Sequence, residues 1–160
     1  MSYGLDKKDV EILKMLRKDS RTPMGLIGNK LEISKATVSR RVASMEEDGT
    51  ITKYSMELDH ASMGLMRSLV MLQIVGSPAS IIIEQLKGFE EIDRIYKTFG
   101  DHNILCEVYT HNVDELYEMI QTRMLKMPSV RTVEVDILLE CEDINENADL
   151  KMFEKGLKEC

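Results

Sequence analysis

At 160 residues the chain has room for one ordinary domain or two small ones. With 43% apolar and 31% charged residues it is composed like a globular protein, which excludes wholesale disorder. No apolar run reaches the ~18 residues of a membrane span. The opening stretch MSYGLDKKDV has no apolar core and no cleavage site, so no signal peptide is expected. Three cysteines, at 106, 141 and 160, have no metal-ligand spacing and are too few for a disulfide scaffold. A cytoplasmic protein without metal or cofactor is expected. The net charge of −7 argues against nucleic acid as a partner, but its distribution does not. Residues 1–59 carry 11 basic and 10 acidic side chains, whereas residues 60–160 carry 10 and 18. A near-neutral head precedes an acidic body.

In chain order, Asp6 and Asp9 are spaced as an N-cap and its third helical residue. Val10, Leu13 and Leu16 then recur at three-residue steps, which predicts an amphipathic helix over Lys7–Lys18. Thr22-Pro23 opens a second, short helix over 23–31, in which Gly25 and Gly28 each cost roughly 1 kcal/mol. Ser34 caps a third helix over Lys35–Glu47, ended by Asp48-Gly49. Tyr54, Met56 and Leu58 alternate with polar residues and predict a strand over 51–58. Residues 59–66 read as a linker.

An almost wholly apolar strand follows over 69–75, then a helix with Ile81, Ile82 and Leu86 inward. Next come a strand over 91–99, a turn at Gly100-Asp101-His102-Asn103, and a strand over Ile104–Thr110 whose Ile104, Cys106 and Val108 share a face. Asn112 with Glu115 starts another helix with the stripe Leu116, Met119, Ile120 and Met124. Val133, Val135, Ile137 and Leu139 form a final alternating strand. Strand–helix–strand–strand–helix–strand is the split βαβ, ferredoxin-like order. Because both faces of 69–75 are apolar, the face away from the helices needs cover, and a second copy is the simplest cover: a homodimer. After Cys141 an acidic tail follows, with Leu150, Phe153 and Leu157 spaced for a short helix.

The strongest chemical signal lies over residues 24–43. A short helix, a tight turn and a capped second helix make a helix-turn-helix. At about 100° per residue, Val38, Val42 and Met45 converge on one face and pack on Ile27 and Leu31. The opposite face carries Ala36, Ser39, Arg40, Ala43 and Ser44, flanked by Lys35, Thr37 and Arg41, with no acid between Ser34 and Met45. Small residues allow close entry into a major groove of double-stranded DNA. Arg40 and Ser39 can reach base edges, and Ser34 at the helix start with Lys35, Thr37 and Arg41 can hold phosphates. Catalytic signals are thin. His60, His102 and His111 lie in turns or at element edges, and there is no phosphate loop or nucleophile elbow.

LDKKDVEILKMLRKDSRTP, LEISKATVSRRVASMEEDGTITKYS, FGDHNILCEV and MPSVRTVEVDILL, in that order, resemble the Lrp/AsnC (feast/famine) transcription regulators of bacteria and archaea. The resemblance covers about residues 5–140. It implies an α+β protein: an N-terminal winged helix-turn-helix over 1–58, a linker over 59–66 and a ferredoxin-like βαββαβ (RAM) domain over 67–140; the acidic tail over 141–160, with its short helix, is longer than the family core needs. It implies DNA binding, assembly as dimers, tetramers or octamers, no enzymatic activity, and in many members an amino-acid effector. The family's effector loop usually reads Thr-Gly-Asp-Tyr-Asp. Here Phe99 precedes Gly100, Asp101, His102 and Asn103, of which Gly100 and Asp101 match. Siroheme decarboxylases are similar to the family in fold. They supply the alternative, an enzyme with a tetrapyrrole site, which the basic, acid-free face of the third helix disfavours.

Overall fold

A computed structural model describes residues 4–157. The chain forms two compact units: residues up to Glu57 together with those from Asp143 onward, and Leu58–Glu142. The tail is therefore part of the first unit rather than a separate appendage.

In the first unit, α1 spans Lys7–Lys18. The Asp6 carboxylate accepts from the amides of Lys8 and Asp9 at 2.8 and 3.0 Å, and the Asp6 amide donates back to Asp9 at 2.8 Å. This reciprocal cap satisfies three amides at the helix start. The second helix, α2, spans Met24–Leu31. Pro23 is its cap residue rather than its first helical residue, and its carbonyl accepts from Leu26 and Ile27. The Thr22 hydroxyl turns back to the Asp19 carbonyl and does not cap α2. The third helix, α3, spans Lys35–Glu47. Ile12, Leu16, Ile27, Val38, Val42 and Met45 close one small core between the three helices.

The expected strand over 51–58 does not form. Residues 52–58 have no ladder partner among the described residues, and a lone period-two pattern buries nothing. Met56 stays 81% exposed. A fourth helix, α6, spans Ala148–Leu157 and docks on α1. Asp149 accepts a two-pronged pair from Arg17 at 2.6 and 2.8 Å, Glu154 accepts from Lys14 at 3.0 Å, and Leu150 is buried. Val10, Lys14 and Arg17 recur at i, i+4 and i+7 and so share one face of α1, which accounts for Val10 being fully buried outside the three-helix core.

The second unit is a four-stranded antiparallel sheet in the order β2-β3-β1-β4. Its strands are β1 (Met66–Ile74), β2 (Ile92–Lys97), β3 (Ile104–Thr110) and β4 (Val130–Leu138). Helix α4 (Ala79–Leu86) connects β1 to β2, and α5 (Val113–Met119), widening into one π-type turn over Ile120–Met124, connects β3 to β4. Asn112 caps α5 by accepting from the Glu115 amide at 2.9 Å. Val70, Leu72, Ile104, Cys106 and Val108 are fully buried beneath Ile82, Leu86, Leu116, Met119 and Met124. Ile81, expected inward, is 51% exposed, because the short α4 turns Ala79, Ile82, Ile83 and Leu86 to the core instead. Strand alternation sends Leu69, Met71, Leu105 and Tyr109 to the opposite face, where they are half-buried. Burial pushes the Cys106 thiol up to about 12, which makes it an inert core residue. Cys141 is exposed, and Cys160 lies outside the described residues.

Candidate nucleic-acid interface and ligand loop

The helix-turn-helix is held by a close backbone approach. Glu32 takes a left-handed conformation (φ 54°), and the Ile33 amide donates to the Gly28 carbonyl at 3.0 Å. A Cβ on Gly28 would sit 2.6 Å from the Ile33 carbonyl oxygen. Gly28 is thus a requirement of the turn and not merely a weak helix residue. The signal was present in the sequence as a glycine near the end of a short helix before a capped one.

The Ser34 hydroxyl accepts from the Thr37 amide at 3.1 Å and shares a hydrogen bond with the Thr37 hydroxyl at 2.8 Å. Both side chains therefore serve the start of α3, whose free amides and dipole make a positive end. Lys35, Ala36, Ser39, Arg40, Ala43 and Ser44 are all exposed on one side of α3. Among the described residues, neither Lys35 nor Arg40 has an ion-pair partner. Arg41 is different. It is half-buried, and its Nη1 donates to Asp6 and Asp9, both at 2.8 Å. These carboxylates raise the Arg41 pKa, while burial pushes Asp6 up and its hydrogen bonds from Asp9 and Arg41 more than offset this. Sequence reading placed Arg41 on the flank of the DNA face; the fold joins it to α1.

The loop between β2 and β3 uses half of its expected ligand residues internally. The Asn103 side chain accepts from the Ile74 amide at 2.7 Å, and its amide donates to the Leu72 carbonyl at 2.9 Å. His102 Nε2 faces Glu134 at 3.3 Å rather than the neighbouring Asp101, and its carbonyl accepts from the Thr98 hydroxyl. Gly100 and Asp101 remain exposed, beside a fully exposed Phe99. His60 stacks on Tyr109 with ring centroids 4.4 Å apart.

A family model for winged helix-turn-helix DNA-binding domains matches residues 5–52, and one for the Lrp/AsnC ligand-binding domain matches residues 69–143. The chain is 34% identical to the HTH-type transcriptional regulator LrpA of Pyrococcus horikoshii, over 85% of this chain and 97% of that one. The chain belongs to the Lrp/AsnC family. It is a DNA-binding transcription regulator, as its relatives are, and those relatives are not enzymes. Solved structures share the fold: Escherichia coli AsnC at a TM-score of 0.79 and 19% identity covers 88% of this chain and 96% of its own. A transcriptional regulator of Neisseria meningitidis, NMB0573, in complex with L-Met, matches at a TM-score of 0.80 and 16% identity over 91% of this chain and 99% of its own. The first matched region holds α1 to α3, and the second holds β2 to β4 and β1 from Leu69 onward.

Proposed function

We propose that this family member reads a two-fold-symmetric site in double-stranded DNA as a homodimer, in the cytoplasm. In this reading the chain divides into a DNA-binding head over 1–58, a connection over 59–66, a dimerisation and effector domain over 67–140, and a tail over 141–160. The observation that carries the reading is the exposed side of α3, on which Lys35 and Arg40 are cations without ion-pair partners among the described residues and no acid intervenes. Arg40 and Ser39 read base edges, and Ala36, Ala43 and Ser44 permit close approach. Lys35 and the α3 start, with Ser34 and Thr37, hold phosphates. Arg41, committed to Asp6 and Asp9, holds α3 on α1 and so presents that side to the duplex.

The sheet face bearing Leu69, Met71 and Leu105 takes the second copy, and further pairing of dimers gives tetramers or octamers. The loop with Gly100, Asp101, His102 and Asn103 meets an amino-acid effector, Asp101 facing its ammonium group. The L-Met in the Neisseria relative supports that ligand class. Selection of bound duplexes from a random pool, followed by footprinting, tests the reading. Protection of two inverted half-sites about one duplex turn or a multiple apart is expected, and protection of a single asymmetric half-site refutes the dimer. For the loop, amino acids should raise the melting temperature of the wild type and not of Asp101→Ala.

A further inference from the structure

The stretch read from sequence as a linker has an internal architecture. Asp59 accepts from the Ser62 amide at 3.2 Å through its side chain and from the Ser62 hydroxyl at 2.8 Å through its carbonyl. The Leu65 amide then donates to the His60 carbonyl at 2.9 Å, and the Gly64 amide to the Ala61 carbonyl at 3.0 Å. Gly64 sits at φ 73°. A capped turn closed by this nested pair of bonds, with glycine in the left-handed position, is the way helices are sealed at their C-terminal ends. Residues 59–65 are thus a single sealed turn that runs straight into β1.

This turn is also fastened to the sheet. The His60 ring stacks on Tyr109 at 4.4 Å with 32° between planes. The Tyr109 hydroxyl donates to Glu107 Oε1 at 3.0 Å, and Arg67 Nε donates to the same oxygen at 2.7 Å. Glu107 is only 4% exposed although it lies on the sheet face without helices. Such a buried carboxylate is costly unless paired, so the network that holds Tyr109 under His60 resists rearrangement.

We propose that residues 59–65 form a rigid elbow, and that His60 and Gly64 are positioning residues that restrict the half-site spacing a DNA-bound dimer accepts. The inference rests on the dimeric DNA-binding reading above. Tyr54 is tied back to Glu46 at 2.8 Å, which leaves residues 55–58 as the untied part of the outgoing connection. Four extended residues span about 13 Å, less than the ~17 Å of half a duplex turn. With the elbow melted, residues 55–65 would span about 36 Å, and the limit would pass to the returning connection, whose reach still exceeds the ~17 Å of half a turn. The returning connection through residues 139–144 reaches about 20 Å and does not impose the limit by itself.

The test uses the full chain on duplexes carrying two selected half-sites, either in phase or offset by half a turn. Wild type should prefer the in-phase duplex by about tenfold or more. His60→Ala and Gly64→Ala should reduce the preference to within about twofold, while single half-site affinity and the sedimenting species stay unchanged. His60→Phe, which keeps a stacking ring, should retain it. Hydrogen exchange at the amides of residues 63–65 should quicken about tenfold in His60→Ala. Unchanged exchange or unchanged spacing preference in His60→Ala overturns the elbow, as does a wild type that binds both spacings equally. A wild type that binds no duplex refutes the dimeric DNA reading, and this inference with it.

Discussion

The two units reach stability by different means. The sheet unit closes over a continuous apolar core in which Val70, Leu72, Ile104, Cys106 and Val108 are wholly sealed. The first unit has a smaller core of six buried side chains, and ion pairs join its helices across that core's rim: Arg41 to Asp6 and Asp9, Arg17 to Asp149, and Lys14 to Glu154. The sheet unit also carries ion pairs, Arg67 to Glu107 and Arg123 to Glu91 among them, but its strands are already joined by the ladder and the larger core. An apolar core responds little to salt or acid, whereas ion pairs at partly exposed positions are screened by one and titrated by the other. The part that must meet a polyanion is thus the part with the smaller apolar core, whose helices lean more on charge to stay together. It keeps separate cations for the two tasks: adjacent residues Arg40 and Arg41 point one outward and one inward.

The largest expected effect falls on the sheet. Leu72→Ala should cost about 2–5 kcal/mol of unfolding free energy, because it opens a cavity in a sealed core. Denaturant melts at low and high salt should show the same loss. A loss that shrinks with salt would break the contrast between the units.

Arg40→Ala should cost roughly 1–3 kcal/mol of preference for the selected site over random duplex and leave stability unchanged. Lys35→Ala should weaken both duplexes about equally and flatten the salt dependence. Arg41→Ala should do the converse. It strands Asp9, which is 5% exposed, and should lower stability by about 1–3 kcal/mol, with DNA binding changed mainly through the folded fraction. Parallel melts and competition binding on the three variants check this division, and a stable Arg41→Ala with lost specificity would reverse it.

A smaller effect concerns α6 and acid. The Arg17 guanidinium holds Asp149 down to about 2, below its ordinary 3.8. A depressed carboxylate contributes stability that is complete above the ordinary value and is lost as pH falls through the lower one. Docking of α6 should therefore be indifferent to pH from neutrality to about 4 and weaken between about 4 and 2. Hydrogen exchange over Ala148–Leu157 measures it. The smallest effect is that of salt: the Arg17–Asp149 and Lys14–Glu154 pairs are partly exposed, so ~1 M salt should raise exchange in α6 several-fold and leave β1 and β3 unchanged.

Local chemistry determined much of this protein. The Asp6 and Ser34 caps, the ends of α1 and α3, the extent of β3, and the outward side of α3 are consequences of residues within a turn of one another, and they are legible as such. The order of six elements after residue 66 likewise dictates a split βαβ sheet, since few other connections are open to it. Tertiary structure decided what depends on partners distant in sequence. The alternation at Tyr54, Met56 and Leu58 is a strand pattern, but a strand needs a neighbour to complete its hydrogen bonds, and none is present among the described residues. Arg41 reads like Arg40 along the chain, and only the packing of α3 on α1, 32 to 35 residues away, turns it toward Asp9 and Asp6. Gly28 reads as a weak helix residue and Gly64 as part of a linker until backbone contacts and dihedrals show what each allows. The docking of α6 on α1 joins residues 132 apart, and His60 meets Tyr109 of the inner strand β3; period and composition carry no signal for either, because both follow from how whole elements pack.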